Sequence, residues 1–122
     1  MLVVDDSPTV LCLLRAALES HDYEVATAGD GAEALETIRQ SAPHLIVTDS
    51  LMPGLDGFAL LALLKEDAST RAIPVIMLTS DPGDQRPSGR VQPDAIIAKS
   101  AHMQPLLEEI RGLLQRTGYV SL

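Results

Sequence analysis

The stretch LIVTDSLMPGLDG, residues 45–57, leads from an apolar run to a carboxylate and then into a turn. The run Leu45–Val47 is typical of a buried strand, but the strand closes on Asp49. Burying that charge is costly unless a cation or hydrogen-bond donors meet it. Because Pro53 and Gly54 then predict a tight turn, the stretch indicates a core strand that delivers Asp49 to a polar site.

Apolar runs of the same kind occur along the whole chain, and segments with helical spacing lie between most of them. Runs that are apolar throughout, alternating with helices, favour a parallel α/β sheet that is covered on both faces. The predicted helices centre on Leu14, Leu35, Phe58–Leu64 and Ile110. The five predicted strands are Leu2–Val4, Tyr23–Ala28, His44–Thr48, Pro74–Thr79 and Ala95–Ala98.

One segment breaks this alternation. Between the fourth and fifth predicted strands, residues 81–94 (DPGDQRPSGRVQPD) contain three Pro and two Gly. These residues remove hydrogen-bond donors and add backbone entropy, so a helix cannot extend far. The sequence predicts a loop there, with the fourth helix of the expected alternation missing or degraded.

Composition excludes several classes of function. The 122 residues, 46% of them apolar, are enough for one domain over residues 1–122. A net charge of −8 without a Lys/Arg cluster argues against nucleic-acid binding, and no apolar stretch approaches the ~20 residues that span a bilayer. The single cysteine, Cys12, is predicted to be a small buried side chain. A location in the cytoplasm is expected.

Polar side chains mark the ends of four predicted strands: Asp5 and Asp6, Asp49, Thr79 and Lys99. The carboxyl ends of parallel strands meet at one edge of a sheet, so these side chains are expected to share one cleft. Clustered carboxylates repel each other unless a cation joins them, and hard oxygen ligands suit Mg²⁺. A Lys and a hydroxyl beside such an ion point to phosphoryl transfer onto a carboxylate.

The motifs VVDDS, TDSLMPGLDG and MLTS and the Lys of IIAKS, in this order and spacing, resemble the receiver domain of two-component response regulators. The resemblance implies a flavodoxin-like fold with strand order 2-1-3-4-5. It also implies that Asp49 is the phosphoacceptor, taking a phosphoryl group from a histidine kinase or phosphotransfer protein. Such a domain is a stoichiometric signalling module and no ordinary enzyme.

The same resemblance assigns roles to the remaining site residues. Asp6 would bind Mg²⁺ directly, Asp5 partly through water, and the Leu51 carbonyl would complete the metal site with Asp49. Lys99 would pair with the phosphoryl group. Thr79 would supply the hydroxyl that turns towards it.

Three departures from the receiver pattern concern the response to phosphorylation. Ile96 stands where these domains normally have Tyr or Phe, Ser100 replaces the Pro that usually follows the Lys, and residues 81–94 are rich in Pro and Gly. A non-proline cis bond costs ~3 kcal/mol, so a trans bond is expected before Ser100. The hypothesis is that altered loops read the signal, or that the output face is a constitutive docking surface.

Two classes of function therefore stay open. The first is a phosphoacceptor switch; the second is a pseudo-receiver, an interaction module that does not depend on phosphorylation. The complete set of site residues favours the first, whereas Ile96 and the 81–94 segment favour the second. A small-molecule enzyme is disfavoured because no Gly-rich nucleotide loop follows any strand.

Overall fold

A computed structural model of the protein describes residues 1–50, 54–79, 92–99 and 103–116. These residues form an α/β sheet with helices on both faces. In chain order the elements are β1 (Leu2–Val4), α1 (Pro8–Glu19), β2 (Ala26–Ala28), α2 (Gly31–Gln40), β3 (Ile46–Asp49), α3 (Gly57–Glu66), β4 (Val75–Thr79), β5 (Ala95–Ala98) and α4 (Met103–Arg116).

The five strands run parallel in the order β2-β1-β3-β4-β5, as predicted. The register pairs Val4 with Thr48 across β1 and β3 and pairs Asp49 with Leu78 across β3 and β4. Strand β3 therefore lies at the centre of the sheet with a bonded neighbour on each side. The carboxyl ends of β1, β3, β4 and β5 meet at one edge, which we call the carboxyl edge.

Alternating residues of the strands divide the core into two layers. Val4, Ile46 and Met77 face the layer that α2 and α3 cover, whereas Val3, Val47 and Ile76 face the layer under α1 and α4. All six side chains are at most 1% exposed. Burial on both faces explains why the strand sequences are apolar throughout.

Capping residues fix where the first three helices begin. Ser7, Asp30 and Asp56 each accept a hydrogen bond from a backbone N–H in the first turn of α1, α2 and α3. Asp56 thus has a structural role: its carboxylate accepts from Ala59 N at 2.8 Å. Gly54, just before this cap, has a φ of +76°, whereas Pro53, the other residue of the predicted turn, lies outside the described residues.

Two details of the sequence prediction are wrong. Strands β2 and β3 begin at Ala26 and Ile46, later than predicted, although the carbonyl of Leu45 still accepts from Leu2 N at 3.0 Å. Cys12 is exposed. The inner face of α1 passes through Leu14 and Leu18, and a residue two positions before Leu14 lies on the opposite side of a helix with 3.6 residues per turn.

Most of the predicted loop between β4 and β5 lies outside the described residues, as do Leu51 and Ser100. The predictions for these residues are not tested by the structure. In the described ranges, no helix has both the length and the apolar character required to cross a bilayer.

Candidate functional site

The carboxyl edge holds a cluster of three carboxylates and one ammonium group. Asp5 and Asp6 follow β1, Asp49 ends β3, and Lys99 follows β5 directly. One carboxylate oxygen from each of the three Asp residues lies within 4.8 Å of the other two. We call these four residues the acidic cleft.

Asp5 is held in place by the turn between β1 and α1. Its backbone N–H donates to Ala28 O at 3.1 Å, and its Oδ1 accepts from the N–H of Ser7 at 2.9 Å. Ser7 in turn caps α1 through its hydroxyl, which accepts from Val10 N at 3.4 Å. The same turn that starts the helix therefore orients the Asp5 carboxylate, while the next residue, Asp6, is exposed to solvent.

Lys99 connects two of the carboxylates. Its Nζ lies 2.9 Å from Asp5 Oδ2 and 3.0 Å from Asp49 Oδ2. The Lys99 backbone N–H donates to Thr79 O at 2.8 Å, which extends the pairing of β4 and β5 by one residue and aims the side chain along the edge. Burial lowers the pKa of Lys99, but the Asp5 and Asp49 carboxylates raise it by more, so the net shift is upward.

Thr79 ends β4 one residue beyond Leu78, the partner of Asp49. Its residue surface is 7% exposed. Strand register therefore places Thr79 at the same edge as the acidic cleft. The predicted contribution of the Leu51 carbonyl lies outside the described residues.

The donor set fits a hard divalent cation. Asp5 Oδ2 is buried and, apart from its ion-pair contact with Lys99, has no partner with hydrogen-bond geometry in the described part of the chain. Octahedral Mg²⁺ holds oxygen ligands at about 2.0–2.1 Å, so two opposite ligands are about 4.2 Å apart. The oxygens of the cleft need only a small adjustment, or one water-mediated ligand, to share such an ion.

Two glycines at the starts of helices have a packing role that was not predicted from the sequence. Gly31 and Gly57 are the first residues of α2 and α3, and each follows a capping Asp. A Cβ atom on Gly31 would lie 2.7 Å from Leu55 O, and one on Gly57 would overlap the carbonyl oxygen of Asp49. The repeated Asp-Gly pair at residues 30–31 and 56–57 is the sequence signal that could have revealed this packing.

Comparison with known proteins supports the resemblance seen in the sequence. The family model described as response regulator receiver domain matches residues 1–111. The protein PilH of Pseudomonas aeruginosa is 44% identical over 80 residues, which cover 66% of each chain. In another curated response regulator, the aligned residues make up only 18% of that protein's length.

Solved structures also support the resemblance to receiver domains. The signal receiver domain of a histidine kinase from Syntrophus aciditrophicus has a TM-score of 0.89 at 36% identity, with 98% of this chain and 92% of that chain covered. Response regulator TrrA of Thermotoga maritima, solved in complex with Mg²⁺-BeF, has a TM-score of 0.84 at 29% identity, with 93% and 96% covered.

Proposed function

This chain belongs to the response regulator receiver domain family, and from that premise we propose that Asp49 is a phosphoacceptor. The observation that carries the proposal is the acidic cleft, where Lys99 Nζ lies 3.0 Å from the Asp49 carboxylate and Asp5 and Asp6 complete a candidate cation site. Residues 1–122 would act as one receiver domain. The donor would be a phosphorylated histidine on a kinase or a phosphotransfer protein.

The proposed reaction moves one phosphoryl group. A carboxylate oxygen of Asp49 attacks phosphorus, the phosphorus–nitrogen bond to the donor imidazole breaks, and the imidazole leaves with the electron pair. Lys99 offsets charge on the phosphoryl oxygens, and the Thr79 hydroxyl donates a hydrogen bond to one of them. Attack by water on the same phosphorus later breaks its bond to the Asp49 oxygen, releases inorganic phosphate and restores the carboxylate. Each domain thus carries one phosphoryl group at a time.

Asp5, Asp6 and Asp49 are the residues that would hold Mg²⁺, together with the Leu51 carbonyl in the assignment made from the sequence. A bound Mg²⁺ would neutralise charge on the transferred group and orient it. The buried Asp5 Oδ2 atom supports this assignment because it already faces a cation, the Lys99 ammonium group at 2.9 Å, and a carboxylate oxygen in that setting suits a hard metal ion. The solitary, exposed thiol of Cys12 fits a reducing compartment and supports a cytoplasmic location.

Mass spectrometry of the intact protein tests the proposal directly. Incubation with acetyl phosphate and Mg²⁺ should add one phosphoryl group, and chelation of Mg²⁺ should suppress the addition. Asp49→Asn should abolish it, whereas Asp56→Asn, which keeps the helix cap, should label like the wild type. Absence of labelling with acetyl phosphate and with phosphoramidate, in a protein that is folded by circular dichroism, would refute the phosphoacceptor role.

A second candidate function, the pseudo-receiver, is favoured by Ile96. This side chain is 41% exposed on β5 at the position where the family pattern has an aromatic residue. A protein whose conformation does not respond to phosphorylation would show few NMR shift changes beyond the cleft when beryllofluoride binds. Coupled changes from Asp49 through Ile96 to α4 would instead support a phosphorylation-driven switch.

A further inference from the structure

Gly57 lies directly against the backbone of Asp49. Its N–H donates to Ser50 O at 3.2 Å, which ties the first residue of α3 to the chain that leaves β3. A Cβ atom at this position would overlap the Asp49 carbonyl oxygen and would lie 2.7 Å from Sδ of Met77. Only a residue without a side chain lets α3 approach the end of β3 this closely.

Neither side of this contact can move away easily. Helix α3 is anchored by Leu60, Leu61 and Leu64, which are at most 2% exposed. Strand β3 is bonded to β1 and β4, and the N–H of Ser50 continues the β4 pairing with a bond of 2.9 Å to Leu78 O. Since neither element can shift as a whole, the overlap caused by an added methyl group falls on the Asp49–Ser50 peptide and would distort it locally.

We propose that Gly57 is a positioning residue for Asp49, an inference that rests on the phosphoacceptor role proposed above. By allowing α3 to close on the Asp49 peptide, Gly57 keeps the carboxylate at the place where Lys99 and the candidate cation site converge. Phosphoryl transfer needs the attacking oxygen in line with phosphorus, and a misplacement of about 1 Å can lower a rate about 100-fold.

The chain offers two matched controls for this role. Gly31 is also the first residue of a helix that follows a capping Asp, and its Cβ would be 2.7 Å from Leu55 O, but its three nearest atoms all belong to Leu55. Gly31→Ala therefore also imposes a clash with a backbone oxygen, a less severe one, without touching Asp49. Gly112, inside α4, has open space where a Cβ would be placed, so Gly112→Ala adds a methyl group without a clash.

The experiment compares Gly57→Ala, Gly31→Ala and Gly112→Ala with the wild type. The readouts are the initial rate of Asp49 labelling by acetyl phosphate at saturating Mg²⁺, corrected for the folded fraction, and the thermal midpoint from circular dichroism. Trimethylamine N-oxide is added to all four proteins at one concentration if a variant is partly unfolded, because it favours the compact state.

We expect both Gly57→Ala and Gly31→Ala to lower the midpoint, and Gly57→Ala to lower it more because its clash is closer. Gly57→Ala should lower the labelling rate of the folded protein about 100-fold, whereas Gly31→Ala should stay within about threefold of the wild type. Gly112→Ala should label normally and raise the midpoint, because Ala favours a helix interior over Gly.

Three results would overturn the positioning role: normal labelling by folded Gly57→Ala, an equal loss in Gly31→Ala, or a Gly57→Ala protein that stays unfolded in the osmolyte. The last would make Gly57 a folding residue only. Failure of the wild type to be labelled is a separate outcome: it refutes the phosphoacceptor proposal itself, and the positioning role falls with it.

Discussion

The central strand β3 and the edge strand β5 each bring one charged residue to the acidic cleft, but they do so from different surroundings. All four residues of β3 are buried, including Asp49. In β5 no residue is fully buried, and Ile96 is 41% exposed. The proposed acceptor thus stands on a fully buried strand, and the pairing ammonium group follows a partly exposed one.

This difference separates two requirements of the site. The acceptor oxygen needs one fixed position, which a strand bonded on both sides provides. Lys99 contacts Asp5 and Asp49 in the present arrangement and would have to meet a phosphoryl group after transfer. A half-exposed strand and a long side chain leave room for that change, so we infer that β3 sets the geometry and β5 adapts to it.

The strongest test of this contrast uses one substitution in both strands. Ile46→Ala in β3 removes a side chain that is fully buried, so it should lower the free energy of unfolding by about 3 kcal/mol through lost burial and a cavity. Ile96→Ala in β5 should cost less than about 1 kcal/mol, because its side chain already contacts solvent. Urea unfolding followed by circular dichroism gives both values.

Since the two variants lose the same atoms, intrinsic strand preference cancels between them. Equal losses would show that β5 is as tightly packed as β3 and would remove the basis for calling it adaptable. A large loss of unfolding free energy for Ile96→Ala alone would mean that β5 sets the geometry and β3 adapts to it.

The features of the fold and the site that depend on strand order could be predicted from the sequence. Asp5, Asp49 and Lys99 could be placed on one edge because each follows an apolar run, and parallel strands share their carboxyl edge. The contact between Gly57 and Asp49 depends on how closely α3 packs on the sheet, which no local pattern specifies. Cys12 was misplaced for a related reason, because the rotation of α1 is set by Leu14 and Leu18 rather than by the neighbours of Cys12 in sequence.

The next test concerns the cation site and the mobility of Lys99. Lys99→Gln should bind Mg²⁺ about tenfold more tightly than the wild type, measured by isothermal titration calorimetry, because the ammonium group and Mg²⁺ compete for Asp5 and Asp49. A tenfold change corresponds to about 1.4 kcal/mol, well below the ~4 kcal/mol for two unit charges 4 Å apart near a protein surface. The gain in Mg²⁺ affinity should be modest because the Lys99 side chain can move aside in the wild type.

Arg15→Gln provides the control. Arg15 is an exposed residue of α1 that pairs with Glu19, so this substitution also removes one positive charge, but outside the cleft. Its Mg²⁺ affinity should match that of the wild type. Weaker binding by Lys99→Gln would mean that Lys99 organises the carboxylates for the ion, in which case β5 would be part of the fixed geometry.

A smaller effect is expected at the opposite end of β5. Asp94 closes the base of the β4–β5 pair, because its Oδ2 accepts from Val75 N at 2.8 Å and its own N–H donates to Val75 O at 2.9 Å. Asp94→Ala should lower the free energy of unfolding by about 1 kcal/mol through loss of the side-chain bond. Asp94→Asn keeps an acceptor oxygen and should retain most of the stability; a loss equal to that of Asp94→Ala would show that the charge matters more than the hydrogen bond.

The smallest effect is a pH dependence that Lys99 alone should produce. Its pKa is raised above the ordinary value of 10.5, so the charged form stabilises the folded state, and this contribution is complete below the unfolded pKa and lost as pH rises through the folded pKa. In chelator, the difference in unfolding free energy between the wild type and Lys99→Gln should be constant from about pH 7 to 9 and should shrink only above the ordinary lysine pKa. Tyrosines titrate in both proteins and cancel in the difference. A difference that already shrinks below pH 9 would mean that burial dominates at Lys99, and the ammonium group on the open strand would then be held no more firmly than a solvated one.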